Sequence, residues 1–338
     1  MTLDPAGFLV KPALNSSSVG LPDPTFKEQA EAMLVELAMR KRKPVHASTL
    51  ITWGGYLAHR LYPAIGHLRL SQITHAVIKR LIADMIEAGL KPTSINSQFR
   101  LVKKVIDSCL NDTGESIYRR VWNLDFLDMP VISPRLLNRP CFDDEIVTAL
   151  ARYRFPRERM IFILAAASGL RIGELLGLDI EQHISDGCTT LRIGRQVTCN
   201  KLVPYTKTVA SYREVDLHLD VAAVLKRFIG NRTGFLFCTA NGTPMQVANI
   251  SRRLRSALHD LSYVNPITGT DTAGLHAFRR FRNTHLGKCP NLPPRLHKYW
   301  MGHSAGSMPD RYDKSIDDRG FRTMWAQRCG IGFELPFD

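Results

Sequence analysis

The chain has 338 residues, 44% of them hydrophobic, and its 45 Lys/Arg against 31 Asp/Glu leave a net charge of +14. That length exceeds what one hydrophobic core ordinarily organises, so two domains are expected, and the apolar content excludes global disorder. Seven scattered cysteines without a CxxC pair argue against a structural zinc site or disulfide framework, and no apolar run is long enough to cross a bilayer.

Residues 1–24 read as a flexible leader, with Pro5, Pro12, Pro22 and Pro24 around Asn15-Ser16-Ser17-Ser18. From Phe26 the apolar residues Ala30, Met33, Leu34 and Leu37 recur at helical spacing, and Arg40-Lys41-Arg42-Lys43 follow as a basic run. Ser48 or Thr49 is the expected cap of a second helix through Ile51, Tyr56, Leu57 and Leu61. Ser71 is expected to open a third, with Ile73, Val77, Ile78, Leu81, Ile82 and Met85 on one face and Gly89 at its end. Thr93 or Ser94 starts a fourth through Ile95, Phe99, Val102, Val105, Ile106 and Leu110. These make a small helical bundle over residues 25–133, with Lys79, Arg80, Arg100, Lys103 and Lys104 on its exposed faces. A basic face is usually just solvated, whereas in a DNA-binding protein it suits phosphate contacts.

Periodicity lapses over residues 111–140, and the domain boundary is expected near Pro134, leaving residues 134–338 as a second domain with a tail from about residue 315. Both parts are basic, which fits two domains gripping one polyanion better than a basic tail on a neutral body. Asp143 can cap a helix through Ile146, Leu150 and Tyr153. Glu158 to Ser168 reads as a core helix ending at Gly169, and Arg171 to Leu178 as the start of another. Leu191-Arg192-Ile193, Gln196-Val197-Thr198 and Arg213-Glu214-Val215-Asp216-Leu217 alternate as strands do. Helices are expected again at 221–228, 247–261, 273–286, 293–300 and 317–329. The fold class is therefore mainly α with one small antiparallel β-sheet.

Several polar residues carry chemistry. Arg171 follows a Ser-Gly turn at a helix start, where it could clamp a phosphate or pair locally with Glu174. His276 and Arg279 share a helix face, and Arg279, Arg280 and Arg282 place three cations in one turn, which repel unless an anion compensates. Lys207 lies in a hairpin turn among threonines and serines. Gly302-His303-Ser304 is followed, nine positions after the histidine, by Tyr312, a tyrosine flanked by Asp310, Arg311, Asp313 and Lys314.

Taken in order, these motifs resemble the tyrosine recombinases, the phage integrase family. Gly169 to Leu178 looks like that family's first arginine box, and Lys207-Thr208-x-x-Ser211-x-Arg213-x-Val215-x-Leu217 like its catalytic hairpin. Leu275-His276-Ala277-Phe278-Arg279 looks like the second box, and Met301-Gly302-His303-Ser304 with Tyr312 like the last. The resemblance covers about residues 140–315, and the preceding bundle fits the family's SAM-like core-binding domain. Two departures stand out: Arg280 occupies a position that is often His, and Pro309 precedes the tyrosine.

The resemblance implies a site-specific recombinase or integrase, in which Tyr312 attacks a DNA phosphodiester to give a 3′-phosphotyrosyl link. Arg171, Arg279 and His303 would stabilise the charge on the transferring phosphoryl group, Lys207 would protonate the leaving oxygen, and His276 would assist proton handling. Glu174 would be a structural partner, with Arg40, Lys41, Arg42, Lys43, Lys79, Arg100, Lys103, Lys104 and Arg280 as DNA contacts. The implied partners are double-stranded DNA and a homo-tetramer on it, with no ATP, metal or other cofactor and a cytoplasmic, nucleoid-associated setting. A type IB topoisomerase and a catalytically silent DNA binder are the alternatives. The apolar face of Phe321, Met324 and Trp325 suits docking on a neighbouring protomer or, equally, on its own domain; in the first case a chain truncated near Lys314 would bind one site but assemble poorly.

Overall fold

The computed structural model describes residues 22–42, 45–133, 139–198, 201–203, 212–303 and 314–336. They belong to two units, Met1–Leu136 and Leu137–Asp338.

In the first unit, helix α1 (Phe26–Met39) opens on a reciprocal cap: the Thr25 hydroxyl accepts from the Glu28 N–H while the Glu28 carboxylate accepts from the Thr25 N–H at 2.9 Å. Helix α2 (Ala47–Tyr56) is capped by the His46 ring, whose Nδ1 accepts from the Ser48 N–H, and not by Ser48 or Thr49. A π-turn over Leu57–Leu61 carries it into α3 (Tyr62–Ile65), so the single expected helix is interrupted where Leu57 and Leu61 enter the core. Helix α4 (His75–Glu87) starts at Thr74. Ser71 does not cap it, because both its N–H and its hydroxyl donate to the Asp23 carboxylate, the latter at 2.6 Å. Asp23 and its neighbours are thereby tied to the bundle, with the Tyr118 hydroxyl donating to the Pro22 carbonyl at 3.1 Å. Helix α5 (Pro92–Asp107) buries Ile95, Phe99, Val102, Val105 and Ile106 at helical spacing, and ends before Leu110, which is half exposed. The irregular segment after it supplies Trp122 and Leu127 to the same core.

In the second unit Asp143 caps α6 (Asp144–Ala151), accepting from the Ile146 N–H at 2.8 Å. Helix α7 (Pro156–Ser168) is buried on every side from Met160 to Ser168, which is why it is apolar all round. It stops at Gly169 in the left-handed region, and α8 (Ile172–Leu176) and α9 (Ile180–His183) follow. Gly173 meets the backbone at Val197: a Cβ there would lie 2.6 Å from the Val197 carbonyl oxygen.

Strands β1 (Thr190–Ile193), β2 (Gln196–Thr198), β3 (Lys201–Val203) and β4 (Arg213–Asp216) form two antiparallel ladders among the described residues, rather than one sheet. In the β1–β4 ladder Thr190 faces Asp216 and Ile193 faces Arg213; in the other, Gln196 faces Val203. Among the described residues the unit goes on with the α-helices α10 (Leu219–Ile229), α11 (Val247–Asp260), α12 (His276–Lys288), α13 (Pro294–Met301) and α14 (Arg319–Cys329). The fold is mainly helical with a small antiparallel component, as the periodicity requires.

The C-terminal segment packs on its own unit. Trp325, Ala326, Cys329, Phe333 and Leu335 are buried in that unit's core, and Phe281 meets Phe333 edge to face. Arg322 is bound to Asp216 at 2.9 Å and to Glu214. Of the two placements open from the sequence, the stripe on α14 takes the one on its own unit; Met324 alone of the three residues named for it stays half exposed. No described helix is long and apolar enough to cross a membrane.

Candidate active site

The second unit gathers four of the six catalytic candidates. Arg279 sits on the first turn of α12 with its side chain folded into the body. Its Nη1 donates to the Gly169 carbonyl at 2.8 Å and its Nη2 to the Met301 carbonyl, so the guanidinium plane is pinned between the end of α7 and the end of α13. Nη2 also lies 3.3 Å from Nε2 of His303. Burial, with Arg171 close by, holds the Arg279 pKa down to about 10, still well above neutrality, so the group stays cationic.

His303 follows the left-handed turn at Gly302 that ends α13, and its N–H donates to the Lys298 carbonyl at 2.9 Å. Burial first, then Arg279, Arg171 and Arg213, push its pKa below the ordinary histidine value. A neutral imidazole at this spot can donate one N–H to an anion without adding a further charge to the guanidinium cluster. His276, the first residue of α12, is likewise held low by burial and by Arg280, Arg279 and Arg171. That favours an imidazole able to accept a proton.

Arg171 is more exposed, at 37% of its side chain. It caps α8 through Glu174: the carboxylate accepts from the Arg171 N–H at 2.9 Å and from its Nη1 at 2.8 Å. The local ion pair weighed from the sequence is therefore present. It does not consume the arginine, since a guanidinium carries more donors than Glu174 accepts. Glu174 is 1% exposed and is also bound by Arg213, whose side chain is fully buried, at 3.0 Å. Burial raises the Glu174 carboxyl, but Arg213 and Arg171 outweigh it and hold the pKa below the usual value.

The three arginines of one turn need no shared anion. Each reaches a different carbonyl: Arg279 those of Gly169 and Met301, Arg280 that of Pro140, and Arg282 that of Gly330. Arg280, expected as a DNA contact, is thus half-buried against the chain that leads into α6.

Lys207 and Tyr312 lie outside the described residues, as does Lys43. In the first unit Arg40, Arg100, Lys103 and Lys104 line one groove of about 580 Å³ between α1 and α5, with Glu36 and Asp107 on its walls. Lys41 and Arg42 are exposed beside the end of α1. Lys79 lies over the Phe126 ring at 4.9 Å, away from that groove. Among the described residues no three His, Cys, Asp or Glu side chains are grouped as metal ligands would be.

Two connected groups escaped the sequence reading. Arg213 is in phase with Val215 on β4 and with Leu217 just past its end, and an arginine on the apolar phase of a strand was the available signal. Asp216, out of phase, accepts from Trp300 Nε1 at 3.0 Å, Arg322 Nε at 2.9 Å and Thr190 Oγ1 at 3.2 Å. Nothing in the local pattern announces it.

Comparison with known proteins gives the class: a tyrosine-recombinase-type enzyme that cleaves and rejoins DNA. A family model described as the phage integrase family matches residues 144–319, more than half of the chain, and the chain belongs to that family. It is 26% identical over 311 residues to the integrase of Mycobacterium phage L5, covering 87% of this chain and 78% of that one. It is 26% identical over 252 residues to the tyrosine recombinase XerC of Chlorobaculum tepidum, covering 65% and 70%. Among solved structures, the Tn1549 transposon integrase in complex with transposon right end DNA aligns with a TM-score of 0.66 at 19% identity, covering 90% of this chain and 98% of that one. A lambda integrase dimer bound to a COC′ core site aligns at 0.61 and 16% identity, covering 88% and 97%. At such identities these structures bear on the fold.

Proposed function

We propose that the protein is a site-specific recombinase that breaks one DNA strand by attack of Tyr312 on a phosphodiester, forming a 3′-phosphotyrosyl link and freeing a 5′-hydroxyl. The observation that carries this is that Arg279 Nη2 lies 3.3 Å from His303 Nε2 while Arg171 and Arg279 both bear on His276 and His303. Fixed guanidiniums in a partly dry site suit the spread charge of a transferring phosphoryl group. Lys207 is assigned the proton for the leaving 5′-oxygen and His276 the handling of the Tyr312 proton. The phosphotyrosyl bond conserves the energy of the bond it replaces, so rejoining needs neither ATP nor a metal.

Residues 25–133 are assigned as the core-binding domain and 134–338 as the catalytic domain, both on double-stranded DNA, with Arg40, Lys41, Arg42, Lys43, Arg100, Lys103 and Lys104 meeting phosphates. The working assembly is a homo-tetramer on DNA in the cytoplasm, in line with the lambda integrase tetramer described on a Holliday junction, which aligns at a TM-score of 0.56. Incubation with nicked duplexes carrying the cognate site should trap a denaturant-resistant protein–DNA adduct. Tyr312→Phe should abolish it; an adduct that survives that substitution would refute the assignment.

A further inference from the structure

Arg213 belongs to none of the groups assigned to the chemistry, yet it occupies the centre of them. Its side chain is fully buried and its fork is filled on two sides: Nη2 and Nη1 donate to the two Glu174 oxygens at 3.0 and 3.3 Å, and Nε donates to the Trp300 carbonyl at 2.9 Å. Glu174 in turn fixes Arg171 through both its backbone and its guanidinium. The Trp300 carbonyl adjoins Met301, whose carbonyl receives Arg279, and the Gly302 turn that presents His303. One guanidinium thus joins β4, α8 and the end of α13.

The turn is shaped to admit it. Gly302 has φ 60, and a Cβ there would stand 2.8 Å from Arg213 Nη1 and 2.9 Å from Cζ. Stability alone is a weak explanation for so buried a pair, because apolar replacements of similar volume are often as stable or more so. What a buried fork supplies and an apolar side chain does not is registry between the elements it bonds.

On the footing of the function proposed above, we infer that Arg213 is a positioning residue: it holds Arg171, by way of Glu174, and the His303 turn, by way of the Trp300 carbonyl, at the spacing the phosphoryl group requires.

The test uses the full chain with Arg213→Met, Arg213→Lys, Glu174→Gln and the double variant Arg213→Met/Glu174→Gln. Three quantities are read for each: the denaturation midpoint, the affinity for the uncut duplex, and the single-turnover rate of Tyr312-dependent trapping on a nicked duplex. A misplacement of the order of an ångström costs about 100-fold in rate. Arg213→Met should therefore trap about 100-fold more slowly while binding DNA within about threefold of wild type. Arg213→Lys should recover part of that loss, because one ammonium can still meet Glu174 but cannot also hold the Trp300 carbonyl. The double variant should be no slower than Arg213→Met alone, since the Arg171 arm runs through Glu174. Wild-type trapping rates in folded Arg213→Met would overturn the inference, as would rate and affinity falling together. Failure of both Arg213→Met and Arg213→Lys to fold would also overturn it, by making the residue a folding element only. Absence of trapping in the wild type would instead sink the proposed function.

Discussion

Replacing Asp216 with alanine removes the acceptor on which three donors converge. Trp300 Nε1, Arg322 Nε and Thr190 Oγ1 all point to its carboxylate, and the Asp216 and Arg322 side chains are 0% and 3% exposed. Breaking a buried ion pair from one side costs about 3–5 kcal/mol. Arg322 keeps Glu214 and the Ile316 carbonyl, which places its share near the lower end. An orphaned Trp300 N–H adds about 1 kcal/mol, giving about 4 kcal/mol in all. For a unit of this size that lowers the melting temperature by roughly 10 °C. Urea denaturation followed by tryptophan fluorescence reads it, since Trp300 lies on the altered carboxylate and Trp325 on the same helix as Arg322. Asp216→Ala/Arg322→Met should regain about 1 kcal/mol or more, because the stranded charge is gone. A loss under about 1 kcal/mol for the single variant, or a double variant no better than the single, would refute the reasoning.

Stability should also depend on pH in a defined direction. Burial depresses the pKa values of His183, His276, His285, His297 and His303 below 6.5 in the folded chain. Below that pH the unfolded chain binds protons that the folded one refuses, so the thermal midpoint should be level above about pH 6.5 and fall as the medium is acidified. Glu174, lowered from 4.5, contributes in the same sense further down. A midpoint that rises on acidification through that range would contradict it. Truncation after Lys314 removes Trp325, Cys329, Phe333 and Leu335 from the core and Arg322 from Asp216. The truncated chain should lose the cooperative unfolding transition of the second unit. A folded truncated protein that merely assembles less well would favour docking in trans.

The helices were legible where one face is apolar at regular spacing, as on α5, or where every face is, as on α7. Caps were legible where the side chain is a conventional acceptor, as with Asp143. They were not where His46 took the part, or where Ser71 was drawn off by Asp23, because neither local sequence shows what lies across the fold. At the site, Arg171, His276, Arg279 and His303 stand out by residue type and order. The supports do not. Arg213 could be read from its phase on β4, whereas the acceptors for Arg279 and Arg282 are backbone carbonyls, which every residue has. The destination of α14 was equally hidden: an apolar stripe records that something covers it, without recording what.

The last of those features bears on biosynthesis. Side chains between Trp325 and Leu335 close the core of the second unit, and Arg322 neutralises a carboxylate laid down more than a hundred residues earlier. A nascent polypeptide therefore cannot complete this unit until that stretch has left the ribosome, although the first bundle, whose core is self-contained, can fold well before. An incomplete translation product would carry Arg171 and Arg279 without the framework that holds them. The order of synthesis itself withholds a finished second unit until the message has been read through that closing helix.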